Sequence, residues 1–282
     1  IVHVNHMLRG SESDRDEDFV KGLADRFSVP CYVKKINVHD EARKFGKSIQ
    51  HAGRDARYRF FNEIADTLHF NKIAIAHTLD DQVETFLIRL VKGTGIRGLS
   101  SIPIKRGRII RPFLMIYRSN IEEYINGRAI AFVSDSSNSK NQYERNFVRR
   151  EILPVIEKLN PAVKDKIISL LRDISTINIF LEHAADEYMN KKKRDENDEI
   201  TIDVHSFQGL NEEVKYRVLL RLLQEVEPEF FPLREHICLI EKILKGKRPN
   251  LSATFPRGIF VKKTYGRIIF TKKKEKNTYL KA

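Results

Sequence analysis

Residues 72–85 read Lys72-Ile73-Ala74-Ile75-Ala76-His77-Thr78-Leu79-Asp80-Asp81-Gln82-Val83-Glu84-Thr85, and this stretch decides the fold. Its first five residues form a short apolar run of the kind buried on both faces of a parallel sheet. A helical pattern follows at once, capped by Asp80 or Asp81 and running to about Val91. In doubly wound sheets ligands bind at this edge, where the carboxyl end of a strand meets a helix. Asp81 and Glu84 are three apart, and Asp80 and Glu84 four apart, so the carboxylates share one helix face near its first turn. Three acids placed so repel one another at neutral pH unless a cation or an amine sits among them. A hydrated Mg²⁺, which takes few protein carboxylates and keeps phosphate and water ligands, suits the arrangement. Asp80 alone reads as an ordinary N-cap. Asp81 and Glu84, with His77 just ahead, are the candidate catalytic and metal-binding residues.

Outward from this stretch, strand and helix alternate. The chain opens on Ile1-Val2-His3-Val4-Asn5, β-branched residues alternating with polar ones, and a polar turn follows over 6–13. Helical patterns cover 14–27, 48–70 with Ser48 as cap, and 119–126, while extended pieces lie at 31–38, 108–112 and 131–133. This predicts an α/β fold with a doubly wound parallel sheet over residues 1–154. One long helical pattern over 161–193 predicts a helical linker within 155–199. A strand at 200–204, helices at 206–225 and 233–245, and a hairpin of 259–263 and 267–271 turning at Tyr265-Gly266 predict a small α+β domain over 200–282. The opening has no Met and no signal-peptide pattern, and it reads as a strand already under way. A parallel sheet begun there leaves an edge unpaired, so a further βα unit is expected ahead of Ile1.

Composition narrows the function. Of 282 residues 41% are hydrophobic and 32% charged, and no run of about 20 apolar residues occurs, which excludes a membrane-spanning helix. Cys31 and Cys238, the two cysteines, exclude a disulfide framework or a CxxC metal ribbon and fit a reducing cytosol; each reads as a small buried hydrophobe. The net charge of +13 points to a polyanionic partner. From Lys245 onward there are twelve Lys or Arg against one acid, Glu275. Their interleaving with the expected hairpin predicts an RNA-facing surface over 247–267, whereas 272–281 alone reads as a frayed lysine tail. Two phosphate-loop look-alikes fail. Gly46-Lys47-Ser48 has Glu41 where a Walker loop needs glycine, and Gly93-Thr94-Gly95-Ile96-Arg97-Gly98 follows a helix, as a glycine-rich helix end does.

Residues 77–99, HTLDDQVETFLIRLVKGTGIRGL, closely resemble the signature of the tRNA(Ile)-lysidine synthetases, a family of the N-type ATP pyrophosphatase superfamily. Further pieces fall in the family's order: His3-Val4-Asn5-His6-Met7-Leu8-Arg9 with Ser13-Asp14-Arg15-Asp16, Ala52-Gly53-Arg54 with Arg57-Tyr58, Arg111-Pro112-Phe113-Leu114, and Asp135-Ser136-Ser137-Asn138 with Arg145-Asn146 and Arg149. Phe255-Pro256-Arg257-Gly258 matches the ending of the family's C-terminal domain. The resemblance implies an adenine nucleotide alpha hydrolase-like fold and an RNA-modifying ligase. Such enzymes use ATP to adenylate the wobble cytidine of an isoleucine tRNA, and the amine of lysine then displaces AMP to leave lysidine. It implies ATP and Mg²⁺ as cofactors, tRNA(Ile) with a CAU anticodon and free L-lysine as partners, no membrane, and a cytoplasmic location, with a homodimer left open. It places Asp81 and Glu84 at Mg²⁺ and the lysine amine, and His6, His77, Thr94 and Gly95 beside ATP. Arg54, Arg57, Arg111, Arg145, Asn146 and Arg149 fall to phosphates of ATP or tRNA. The chain departs from the family at three points: the loop Ser-Gly-Gly-x-Asp-Ser is absent, Thr78 replaces a second His, and Gln50 replaces a common Glu. A tRNA sulfurtransferase on the same fold and a non-catalytic RNA-binding module are the alternatives. The first needs thiolates or an iron–sulfur site, which two distant cysteines do not supply.

Overall fold

A computed structural model describes residues 1–133, 144–195, 198–246, 248 and 250–272. Two compact units result, Ile1–Leu171 and Arg172–Ala282.

In the first unit, β1 (Val2–Asn5) pairs in parallel with β2 (Tyr32–Lys35), in the register Val2 opposite Tyr32 and Asn5 opposite Lys35. Parallel strands need a crossover, and α1 (Ser11–Arg26) supplies it, with acids in its first turn and Arg26 in its last. The extended piece expected over 31–38 is shorter than its pattern, because Asn37 caps a helix, α2 (Val38–Phe45), by accepting from the His39 amide. Gly46, at φ 60°, ends that helix in the left-handed region. Ser48 caps α3 (Ile49–Thr67) as expected. Val38, Ala42 and Ala52 form a small core between α2 and α3, and both α1 and α3 pack on β1.

β3 (Ile73–Ala74) is only two residues long, since the His77 amide turns back onto the Ile75 carbonyl and ends the ladder. Next come α4 (Leu79–Val91), α5 (Ile96–Leu99), β4 (Lys105–Arg106) and β5 (Ile109–Ile110). β3 pairs in parallel with β5, and β4 runs antiparallel to β5. The parallel pairings fit the expected α/β class, though they fall in two ladders, β1-β2 and β3-β5-β4, and residues 131–133 form no strand. α6 (Arg118–Gly127), α7 (Glu144–Phe147), a π-helical turn at Val148–Ile152 and α8 (Leu153–Leu159) complete the unit. The long helix α9 (Val163–Met189) begins in this unit and continues into the next.

The second unit adds β6 (Lys193–Arg194), β7 (Ile200–Asp203), α10 (Val204–Gln208), α11 (Glu212–Val226), α12 (Arg234–Lys245), β8 (Asn250–Thr254), β9 (Ile259–Thr264) and β10 (Arg267–Lys272). The expected helix over 206–225 is two helices, since Asp203 caps α10 and Asn211 caps α11. The strands form one antiparallel sheet in the order β6-β7-β10-β9-β8, and the hairpin turns at Tyr265-Gly266 as read. Period-two alternation buries Ile200, Ile202, Val261, Ile268 and Phe270 on one face, against Leu219, Leu222 and Leu223 of α11 and Ile237 and Ile240 of α12. Cys238 is exposed and Cys31 half-buried, so neither is the buried hydrophobe expected. Leu219 is fully buried in this core. Leu219→Ala is expected to destabilise the unit by about 2–5 kcal/mol, read as a lower urea midpoint with an unchanged slope; a shift below about 0.5 kcal/mol would show a looser core.

Candidate functional site

Three side chains follow the carboxyl ends of parallel strands: His6 directly after β1, Arg111 directly after β5, and His77 three residues after the end of β3. The first turn of α4 adds the acids. Thr78, rather than Asp80 or Asp81, is the N-cap of α4. Asp81 serves as the reciprocal acid at the third helical position, with Oδ2 accepting from the Thr78 amide (2.8 Å) and the Thr78 hydroxyl (3.1 Å). Asp80 is turned elsewhere. It accepts from the Arg118 amide at 2.8 Å, starting α6, and pairs with Lys164 at 3.5 Å.

The cation that the acidic turn requires comes from the chain itself. Arg145 donates to Asp81 Oδ1 (3.1 Å) and to the Thr85 hydroxyl (3.0 Å). Arg149 donates through Nε to Glu84 Oε1 at 2.6 Å. Arg145 lies on α7 and Arg149 in the π-helical turn, four residues on, so the two arginines match acids one helical turn apart. Asn146 is buried between them in sequence. Glu84 is 1% exposed, and burial raises its carboxyl above the usual range against the opposing pull of Arg149. Arg149 is correspondingly raised, chiefly by its bond to Glu84.

On the other side, Arg57 donates to His6 Nε2 at 3.1 Å, and Arg54 lies 4.6 Å from the centre of the Tyr58 ring. Burial, with Arg57 next, pushes His6 down to about 4. Burial also lowers His77, opposed by Asp81 and assisted by Arg111, Arg145 and Arg54. Both imidazoles are therefore neutral near pH 7. Arg54 connects the two groups, because its charge acts on Arg57 as well as on His77. Arg111 is 5% exposed and anchored by donating to the Pro103 carbonyl at 2.7 Å. Four buried polar atoms in this set have no partner among the described residues: His6 Nδ1, His77 Nδ1, Glu84 Oε2 and Arg111 Nε. Such atoms are rare and expensive, and their occurrence just after the carboxyl ends of strands in the two ladders and in the first turns of α4 marks a place for a polar ligand. Among the described residues no three His, Cys, Asp or Glu side chains converge as a self-sufficient metal cage. Asp81 and Glu84 with the unpartnered Glu84 Oε2 suit instead a hydrated Mg²⁺ that brings phosphate and water as its other ligands.

Residues 1–156, more than half of the chain, match the PP-loop domain family. The chain belongs to the PP-loop family. Its fold is accordingly the adenine nucleotide alpha hydrolase-like α/β fold. The chain is 34% identical over 278 residues to the tRNA(Ile)-lysidine synthase of Geobacillus kaustophilus (strain HTA426), covering 96% of this chain and 60% of that protein. It is 32% identical over 274 residues to the tRNA(Ile)-lysidine synthase of Clostridioides difficile (strain 630), covering 96% and 59%. The chain thus spans about 60% of the length of these curated relatives. Among solved structures, the U34-tRNA thiolase NcsA from Methanococcus maripaludis superposes with a TM-score of 0.47 at 16% identity, over 61% of this chain and 60% of that one.

Within the PP-loop unit, two expected ATP neighbours stand apart from the cluster. Thr94 and Gly95 follow the far end of α4, whose stretch from Asp81 to Val91 is about 15 Å long at 1.5 Å per residue. Gly93, at φ 71°, ends α4, and the glycine-rich segment is the helix end that its context suggested. Gly98 is required there, since a Cβ on it would lie 1.9 Å from the Thr94 hydroxyl. Sequence reasoning missed the residues that hold this segment on α4. Gln82 exchanges hydrogen bonds with the Ile102 backbone (both 2.8 Å), and Arg89 donates to the Ser101 carbonyl at 2.9 Å. Thr85, which receives Arg145, was also missed; its position one residue past Glu84 was the available signal. Residues 135–138 lie outside the described residues.

Because His6 is held near 4 while the unfolded chain titrates near 6.5, the unfolded state takes up a proton that the folded state refuses between those values. The stability carried by His6 is whole above about 6.5 and is lost as the pH falls towards 4. NMR titration of the imidazole is expected to show no protonation above pH 5, and His6→Asn should flatten the acid side of the stability curve. A titration centred near 6.5 would contradict the burial.

Proposed function

We propose that the whole protein uses ATP to adenylate the C2 oxygen of the wobble cytidine in tRNA(Ile) with a CAU anticodon, and that free L-lysine then displaces AMP to give lysidine. Two bond exchanges are needed. The cytidine oxygen forms a bond to the α-phosphorus as the bond to pyrophosphate breaks. The lysine nitrogen then bonds to C2 as the C2–O bond breaks, and AMP leaves with that oxygen. The attacking amine must shed a proton, so it needs an acceptor of suitable basicity nearby.

The observation that carries this reading is the set of unpartnered polar atoms at the carboxyl ends of β1, β3 and β5. Glu84 Oε2 is a carboxylate oxygen whose affinity for a proton burial has raised, which suits an amine as guest. His6 and His77 offer neutral imidazoles to the nucleotide. Arg54 and Arg57 of α3, and Arg111 after β5, offer guanidinium donors for phosphate. Arg145 and Arg149 hold the acids apart until a ligand competes for them. Thr94 and Gly95, at the other end of α4, are left out of this site. Mg²⁺ would be held by Asp81 and Glu84 and, when bound, would screen the charge of the triphosphate. The basic second unit would bind the tRNA, and the similarity to two proteins named tRNA(Ile)-lysidine synthases supports the substrate pair.

The test is to incubate the full-length protein with tRNA(Ile), ATP and either labelled lysine or labelled sulfur, then to digest the RNA. Lysine label in a modified cytidine is expected. Sulfur label alone would make the protein a sulfurtransferase, and neither label would leave an RNA-binding module. Glu84→Gln should leave the fold intact, read as an unchanged far-ultraviolet circular dichroism spectrum, yet cut lysine incorporation at least tenfold, about 1.4 kcal/mol of barrier or more. Near-normal turnover would remove Glu84 from the site.

A further inference from the structure

The sheet of the second unit has two unlike faces. One is the buried face described above. The other presents, in a single cross-strand row over all five strands, Lys193, Thr201, Ile269, Lys262 and Ser252. Arg267 stands in the adjoining row, between Asp203 and Thr264. Lys193, Lys262 and Arg267 are exposed. None of the three has a carboxylate within ion-pair distance among the described residues, whereas Arg194, Lys215, Arg221, Arg257 and Lys272 of the same unit are all paired. Asp203, the acid on this face, caps α10 by accepting from the Ser206 amide at 2.7 Å.

Alternation along β9 sorts two adjacent lysines to opposite fates. Lys263 points to the covered side and donates to the Leu244 and Gly246 carbonyls (2.9 and 2.8 Å), closing the end of α12. Lys262 points to the open side. The basic run 247–267 is therefore not one surface: Lys263 is structural, Arg257 is bound to Glu229 at 2.7 Å, and Lys247 lies outside the described residues. Of the cations left over, Lys262 and Arg267 stand on the open sheet face, and the exposed Arg248 precedes β8.

We propose that this open face docks the phosphate backbone of RNA, with Lys193, Lys262 and Arg267 as the phosphate contacts. The proposal rests on the reading of the second unit as the tRNA-binding part, and names its surface. Three unpaired cations on a rigid pleated face, with Lys193 and Lys262 about 14 Å apart at three strand spacings, form a fixed positive array. The hydroxyls of Thr201 and Ser252 in the same row add donors for phosphate oxygens.

The test is a filter-binding series with the full-length protein and tRNA(Ile) between 50 and 200 mM salt. Replacing Lys193, Lys262 and Arg267 together by Gln should lower the slope of log K against log salt by about 2–3, since each phosphate contact contributes about 0.9, and should weaken binding at least tenfold at the lower salt. The control replaces Lys21, Lys34 and Lys47, three ion-paired lysines of the first unit, with Gln. It removes the same net charge and should leave the slope within experimental error of the wild type. Equal slopes for both triple variants would overturn the proposal. So would an unchanged slope with lost self-association in sedimentation, which would make the face a protein interface. Lysine incorporation at saturating tRNA is read separately: a wild type that forms lysidine beside a triple variant of unaltered slope sinks the docking face and leaves the proposed activity standing.

Discussion

A carboxylate taken out of water must be given a cation, and Glu84 is the carboxylate on which the first unit turns. With 1% of its surface exposed, its charge is tolerable because Arg149 reaches one oxygen at 2.6 Å. Removing one member of a buried pair costs several kcal/mol, while an exposed pair such as Lys47–Asp55 contributes about 0–1 kcal/mol. The pairing of Glu84 with Arg149, and of Asp81 with Arg145, therefore sets α4 against α7 and the π-helical turn. A four-residue spacing between the arginines meets a three-residue spacing between the acids, and the π-helical turn lies where that match is made. The second carboxylate oxygen of Glu84 has no partner among the described residues, which ties the stability of this corner to its chemistry.

The sheet edge shows the same economy of roles. His6 follows a strand of one parallel ladder, His77 and Arg111 follow the two paired parallel strands of another, and the charge of Arg54 acts on both His77 and the His6 partner Arg57. Burial and nearby guanidinium groups keep both imidazoles neutral, so the edge offers neutral nitrogens beside strong cations. A nucleotide with its phosphates and a base-bearing partner needs both kinds of group. In the second unit the division is by face: apolar residues on one side of the sheet, unpaired cations and hydroxyls on the other.

Much of this was legible in the residues. Ser48, Gly93 and Tyr265-Gly266 announced their cap, helix end and turn because each solves a local backbone problem that few residues solve. The acidic turn was legible because its acids share a helix face by spacing alone. Asn37 and Gly46 also marked a helix, α2, but the β-branched run before them hid it. The division of 206–225 by Asn211 was missed for a like reason, since both halves carry the same apolar period. The strand expected over 131–133 did not form, as an apolar run without a partner ladder is not a strand.

Local chemistry in the sequence alone thus determined the α/β character of the first half, the acidic turn after a buried strand, the hairpin and the excess of positive charge. Those depend on neighbours within a few residues. Tertiary structure decided which cation neutralises which acid, that Asp80 faces Arg118 and Lys164 instead of Glu84, and that Thr94 stands a helix length away from Asp81. It also decided that Lys263 closes a helix while Lys262 faces outward. The reason is physical: the energy of a charge is set by burial and by partners 60 or more residues distant, as Arg145 and Arg149 are from Asp81 and Glu84. No local pattern encodes that distance.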